Sequence, residues 1–189
     1  CHADGALRGL GPEPGRSLYC VVYNNDLSRR SGESSLDSNE TIEYIGVALQ
    51  VSVKGVNRCK DRASSRERIN ENIRRIGEYT TTAASFLRFF YGLPVKLVAL
   101  PEYFPLIGAS DVDRLAARET DGSGPIQEFL AAAARKHRLW LVGGSIPLRA
   151  DDPAKLRNSC LVYDPEGKRV TRYDKIHLFG FRKGAEAYD

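Results

Sequence analysis

Two nearly continuous apolar runs, Tyr44 to Val53 and Val95 to Leu100, constrain this chain most, because a single amphipathic stretch of helical period lies between them. The first, Tyr44-Ile45-Gly46-Val47-Ala48-Leu49-Gln50-Val51-Ser52-Val53, is rich in β-branched residues and predicts a strand buried on both faces. Ile69, Ile73, Ile76 and Leu87, with Thr80 and Ala84 among them, then recur at helical spacing, while Arg66, Glu67, Glu71, Arg74 and Arg75 fill the other faces. Gly92-Leu93-Pro94 predicts where that helix stops, since glycine closes helices and proline cannot continue one. A strand, a covering helix and a second strand make a parallel crossover, which sets the fold class as α/β.

The rhythm continues downstream. A loop containing Gly108 and Asp121-Gly122-Ser123-Gly124 precedes a helix that opens with Pro125 and runs through Ile126, Phe129, Leu130 and Ala133. Leu139 to Ile146 reads as a third strand, in which Gly143-Gly144 predicts a close backbone approach or a bulge. Arg157 to Tyr163 then predicts a strand, Asp164-Pro165-Glu166-Gly167 a tight turn, and Lys168 to Ile176 the hairpin partner. Residues 1–43 mix Gly, Pro, Ser, Arg and acids without a sustained period and are expected to form a mostly disordered extension, the apolar Leu18 to Tyr23 being the exception. One domain is therefore expected over residues 44–189.

The formal net charge of +4 is spread along the chain, which argues for neither a nucleic acid nor a membrane partner. No apolar stretch approaches the roughly 20 residues of a membrane-spanning helix, and no secretory start is visible. Cys1, Cys20, Cys59 and Cys160 form no Cys-x-x-Cys pair, so reduced thiols in a cytoplasmic setting are expected rather than bridges or a zinc site. The sequence contains no methionine, even at position 1, and an incomplete start is expected from that, with truncation expected at the other end as well.

In an open α/β sheet, ligands bind beyond the carboxyl ends of the strands, which is where Leu97 to Leu100 delivers Glu102. A carboxylate after a wholly apolar strand and before Tyr103 and Phe104 is expected to be partly desolvated, raising its pKa toward the range of a general base. Its bland reading is a surface acid or a helix-cap partner. Lys175 repeats the logic at the end of another strand, where a lysine can donate to a developing oxyanion. Alone, such a lysine is more often a solvated strand-end residue.

Together, Leu100-Pro101-Glu102 and Lys175-Ile176-His177-Leu178-Phe179 resemble the nitrilase superfamily of carbon-nitrogen hydrolases, in which a Pro-Glu pair follows a hydrophobic strand and a lysine later precedes a His-Leu-Phe run. Trp140 to Ile146, Arg157 to Tyr163 and Asp164 to Gly167 match that family in order and spacing, so the resemblance covers residues 44–189. It implies a four-layer αββα sandwich and hydrolysis of an amide, nitrile or N-carbamoyl compound by a Cys-Glu-Lys set, with Glu102 the general base and Lys175 the oxyanion-stabilising lysine. It also implies a small-molecule substrate, no metal or organic cofactor, and a homo-oligomeric intact protein. The family's cysteine follows a further strand beyond the lysine, so the 189 residues are expected to lack it and to be inactive alone.

Other candidates have simpler readings. Cys160 falls inside an apolar strand pattern and reads as a buried structural thiol, and Cys59 has basic neighbours but sits in a loop unrelated to the family's nucleophile. His177 reads as packed or hydrogen-bonded structure and His137 as a favourable charge at a helix C-terminus. Phe86 to Tyr91 replaces an alanine-rich turn usual in the family, so the helix before it is expected to be extended or shifted. Two alternatives to an enzyme stay open: a non-catalytic α/β interaction module and, with thinner support because Gly143-Gly144 belongs to no phosphate-loop pattern, a nucleotide-binding domain.

Overall fold

A computed structural model describes residues 6–8, 18–23, 44–51, 55–177, 181–183 and 186–188. Its main feature is an eight-stranded mixed sheet made by β1 (Ala6–Arg8), β2 (Leu18–Tyr23), β3 (Ile45–Val51), β4 (Val95–Ala99), β5 (Trp140–Val142), β6 (Ile146–Arg149), β7 (Leu156–Tyr163) and β8 (Arg169–Asp174). β1, β2, β3, β4 and β5 follow one another across the sheet, and β7 pairs with β5 and β6 along one edge and with β8 along the other. Strands β3, β4 and β5 are parallel, as the crossovers require, and every other pairing is antiparallel. A separate hairpin joins β9 (Phe181–Lys183) to β10 (Glu186–Tyr188). Leu18–Tyr23 is thus a strand of the sheet, paired with β3 from Leu18 opposite Val51 to Tyr23 opposite Gly46, and Ala6–Arg8 pairs with it in turn. The rest of residues 1–43, on which the expected disorder falls, lies outside the described residues.

The crossover between β3 and β4 is α1 (Arg62–Tyr91), 30 residues long. Asp61 caps it by accepting the Ser64 N–H, while the Ser64 hydroxyl takes the Asp61 N–H in return. It ends at Gly92, whose φ of 68° is the left-handed conformation glycine adopts without strain. The helix is therefore extended through Phe86 to Tyr91 rather than shifted. Its buried line runs Ser65, Asn72, Ile76, Thr80, Ala83 and Leu87, a stripe at spacings of three, four and seven that faces the sheet.

α3 (Pro125–His137) is the second crossover, with proline in its first turn as expected and Ile126, Leu130 and Ala134 buried. Between them lies α2 (Asp111–Ala117), in a stretch read from the sequence as loop. Its signal was the Ser110-x-x-Asp113 capping box, in which each side chain accepts the other residue's N–H.

α1 and α3 pack against each other over one face of the sheet, and Ile45, Val47, Leu49, Val98, Leu141 and Leu161 point into that contact. The other face shows a different pattern. Ala48, Leu97, Trp140 and Tyr173 stay exposed, so β3 alternates from Val47 to Gln50 instead of being buried on both faces. The correction follows from the layers: helices cover one side only among the described residues, and the opposite side is the one on which an αββα sandwich stacks its second sheet. Among the described residues no helix is long and apolar enough to cross a membrane.

The expected strand from Leu139 to Ile146 is two strands, β5 and β6, which lie in succession along the same edge of β7. Gly144 breaks it: its φ is 60°, and a Cβ there would stand 2.1 Å from the Pro101 carbonyl oxygen. The close backbone approach expected of the glycine pair is real, and it is directed at the residue before Glu102.

Candidate active site

The carboxyl ends of β4 and β8 and the first half of β7 meet at one end of the sheet, because β7 runs antiparallel to β5, β6 and β8 while β4 and β5 are parallel. Glu102 comes from the turns that follow β4 and Lys175 from the residue just past β8. Lys175 Nζ donates to Glu102 Oε1 at 2.9 Å across 73 residues of sequence. The structure therefore brings together the two site residues expected from the sequence.

A third group joins them. Asn158, on β7 and 4% exposed, donates its side-chain N–H to the same Glu102 oxygen at 2.7 Å. Its backbone carbonyl accepts the Lys175 N–H at 2.8 Å. Sequence reading passed over Asn158; the signal was an amide in a strand whose partners on the same face, Cys160 and Val162, are apolar.

Glu102 itself is held by an unusual backbone. The next residue, Tyr103, has a φ of 48°, a left-handed conformation costly for a side chain of that size. Tyr103 donates its N–H to the Ser145 hydroxyl at 3.2 Å, and Gly144 lies against Pro101. Beyond the bend, Phe104 and Leu106 are fully buried, and the Asn72 side chain of α1 donates to the Pro105 carbonyl at 3.1 Å. Strain at Tyr103 is thus held from three sides. The Arg114 guanidinium of α2 lies 5.1 Å over the Tyr103 ring and adds positive charge near Glu102.

The electrostatics differ from the sequence expectation. The Glu102 carboxyl is held below its usual value: the hydrogen bond from Lys175 is the largest influence and outweighs burial, and Asn158 and the charges of Lys175 and Arg114 act in the same direction. Its raised pKa was inferred from the apolar strand before it, but the side chain is more than half exposed and meets a cation at its tip. At neutral pH Glu102 is a carboxylate, the form a base requires. With both partners well exposed, this ion pair contributes at most about 1 kcal/mol to stability after solvent screening, so stability alone does not account for it.

The remaining candidates fall elsewhere. His177 is exposed just beyond β8 rather than packed. His137 lies against α1 with Nε2 3.1 Å from Thr81 Oγ1, and burial together with the Lys136 charge lowers its pKa, which favours the neutral ring over the expected charge. Cys160 is half-buried on β7 and burial raises its thiol pKa, in keeping with a structural role, while Cys59 stands before α1. Neither hydrogen-bonds to Glu102 or Lys175.

A network of charge frames the far side of β8. Asp174 accepts from Ser159 Oγ at 2.6 Å and from Arg172, which also pairs with Asp121, and Arg157 bridges Asp174 to Asp151. These contacts lock the register of β7 and β8 beside Asn158 and Lys175. Glu119, buried before α3, accepts the backbone N–H groups of Ile126 and Gln127 at 2.6 and 3.2 Å and so caps that helix from outside its own turn.

Comparison with known proteins bears on this geometry. The family model described as carbon-nitrogen hydrolase matches residues 57–188. The chain is 37% identical over 100 residues to the human protein omega-amidase NIT2, covering 52% of this chain and 34% of the relative, and 33% identical over 86 residues to deaminated glutathione amidase of Yersinia enterocolitica, covering 45% and 30%. Among solved structures, Saccharomyces cerevisiae Nit3, a member of branch 10 of the nitrilase superfamily, matches with a TM-score of 0.50 and 26% identity over 58% of this chain and 40% of that one. The matched region spans about a third of the length of these curated relatives.

Proposed function

The chain belongs to the carbon-nitrogen hydrolase family of the nitrilase superfamily, and we propose that the whole protein hydrolyses the carbon–nitrogen bond of a small carboxamide, with Glu102 as general base and Lys175 as oxyanion donor. The observation that carries the reading is the 2.9 Å contact from Lys175 Nζ to Glu102 Oε1, at the end of the sheet where ligands bind in α/β folds. Relatives named omega-amidase favour an amide over a nitrile.

In this reading Glu102 takes the proton of a cysteine thiol as the sulfur attacks the carbonyl carbon, and a carbon–sulfur bond forms while the carbonyl oxygen becomes an oxyanion. Lys175 spends one N–H on Glu102 and has two others, one of which meets that oxyanion. Glu102 returns the proton to the departing nitrogen as the carbon–nitrogen bond breaks, then deprotonates the water that cleaves the thioester. Neither Cys59 nor Cys160 hydrogen-bonds to the pair, and the thiol is assigned to neither; the 189 residues alone are expected to be inactive.

The test is ammonia release from small carboxamides by the full-length protein. Glu102→Gln and Lys175→Ala are each expected to lower kcat/KM by about 100-fold or more. Turnover that survives both substitutions would sink the assignment.

A further inference from the structure

We propose that Asn158 is a positioning residue of this site, which ties Glu102 and Lys175 into one unit and divides the labour between the two carboxylate oxygens, Oε1 for anchorage and Oε2 for proton transfer. The inference rests on the reading of Glu102 as the base and goes beyond it in assigning a role to an amide on a neighbouring strand.

Three contacts converge. Asn158 Nδ2 reaches Glu102 Oε1 at 2.7 Å, Lys175 Nζ reaches the same oxygen at 2.9 Å, and the Lys175 N–H donates to the Asn158 carbonyl at 2.8 Å. One residue thus holds the lysine by its main chain and the glutamate by its side chain. Oε1 receives two donors, while Oε2 accepts no hydrogen bond from any described residue. A carboxylate held in this way turns one fixed, unoccupied lone-pair face toward incoming protons, which is the orientation a general base needs.

Asn158 is itself rigidly mounted. It is 4% exposed, stands opposite Pro147 of β6, and is followed by Ser159, whose hydroxyl is tied to Asp174 of β8. The amide orientation follows from its partner: turned over, Oδ1 would face a carboxylate oxygen at 2.7 Å, acceptor against acceptor.

Packing does not explain the residue. Among the described residues Asn158 Oδ1 is buried without a hydrogen-bond partner, a penalty that leucine, of similar size, would not incur. A residue chosen for the strand alone would be apolar, as its same-face neighbours Cys160 and Val162 are. What leucine lacks is the N–H aimed at Glu102. Among the described residues the charged groups that act on that carboxylate are Lys175 from the end of β8 and Arg114 from α2.

The experiment compares the wild-type full-length protein with Asn158→Leu and Asn158→Asp by Tm, by kcat and KM separately, and by the pH dependence of kcat/KM. Asn158→Leu is expected to keep or raise Tm, to lower kcat about 10- to 100-fold with KM within about 3-fold, and to move the acid limb of the profile to higher pH because a donor to the carboxylate is lost. Asn158→Asp is expected to move the limb further, since two carboxyls then share one site. An acid limb that stays in place in Asn158→Leu, whether activity is kept or falls only with the folded fraction, overturns the proposal. Should that variant fail to fold, an unmoved limb in Asn158→Asp overturns it. Glu102→Gln separates the two levels: full turnover there defeats the hydrolase reading, whereas an inactive Glu102→Gln beside an unaltered Asn158→Leu defeats this inference alone.

Discussion

Gly144 and Pro101 are packed so closely that a single methyl group on Gly144 would stand 2.1 Å from the Pro101 carbonyl oxygen. This is backbone against backbone, with no flexible side chain to yield, and it sits one residue before Glu102. The contact makes the β5–β6 break and the turn after β4 into one structural unit.

Gly144→Ala is therefore expected to harm activity beyond its effect on folding. The added carbon must push the Pro101 to Tyr103 turn outward, and the φ of 60° adds strain of about 1 kcal/mol or more. A lower Tm together with a kcat loss that persists at temperatures where the variant is fully folded is the expected result. Normal kcat in a folded Gly144→Ala would show that the turn tolerates movement.

Phe104→Ala should remove a fully buried ring that contacts Phe129 of α3 at a centroid distance of 6.2 Å. The expected loss is about 3–5 kcal/mol, the usual range for emptying such a site. Chemical denaturation measures it directly, and a loss below about 1 kcal/mol would mean that the turn after Glu102 collapses to fill the space.

Glu119 makes stability depend on pH in a direction opposite to Asp121 and Asp174. Burial raises its carboxyl above the ordinary 4.5 despite three donors, so the folded state holds its proton more tightly than the unfolded chain does. By linkage, its contribution is full below pH 4.5 and declines as pH rises through the folded value. Asp121 and Asp174, held below 3.8 chiefly by Arg169 and Arg172 respectively, contribute above that value and lose their share as pH falls. Denaturant unfolding of Glu119→Gln between pH 4 and 8 is expected to flatten the decline on the alkaline side, at a cost of about 1–3 kcal/mol from an amide N–H facing the Gln127 donors. An unchanged slope would exclude Glu119 as its source.

Lys175→Met should raise the Glu102 pKa more than Asn158→Leu does, because Lys175 supplies the largest lowering hydrogen bond as well as charge, and Asn158 only a hydrogen bond. Titration of the Glu102 side-chain carboxyl by carbon NMR reads this without needing activity. The reverse order would mean that the amide, not the ammonium, dominates the carboxylate.

The sequence by itself determined the order of elements and the identity of the two charged candidates. Gly92, Pro125 and the Asp164 to Gly167 turn act within a few residues, so their effects were visible locally. Glu102 and Lys175 were found because each stands at the end of an expected strand and together they resemble a family. Tertiary structure decided the rest. It divided the Leu139 to Ile146 run at Gly144, whose constraint comes from Pro101, 43 residues earlier in the sequence. It left one sheet face exposed among the described residues, since periodicity reports which side chains alternate but not what covers them. It also set the sign of the Glu102 shift and recruited Asn158, because a carboxyl's pKa depends on which donors reach it through space, and here those donors come from β7 and the end of β8.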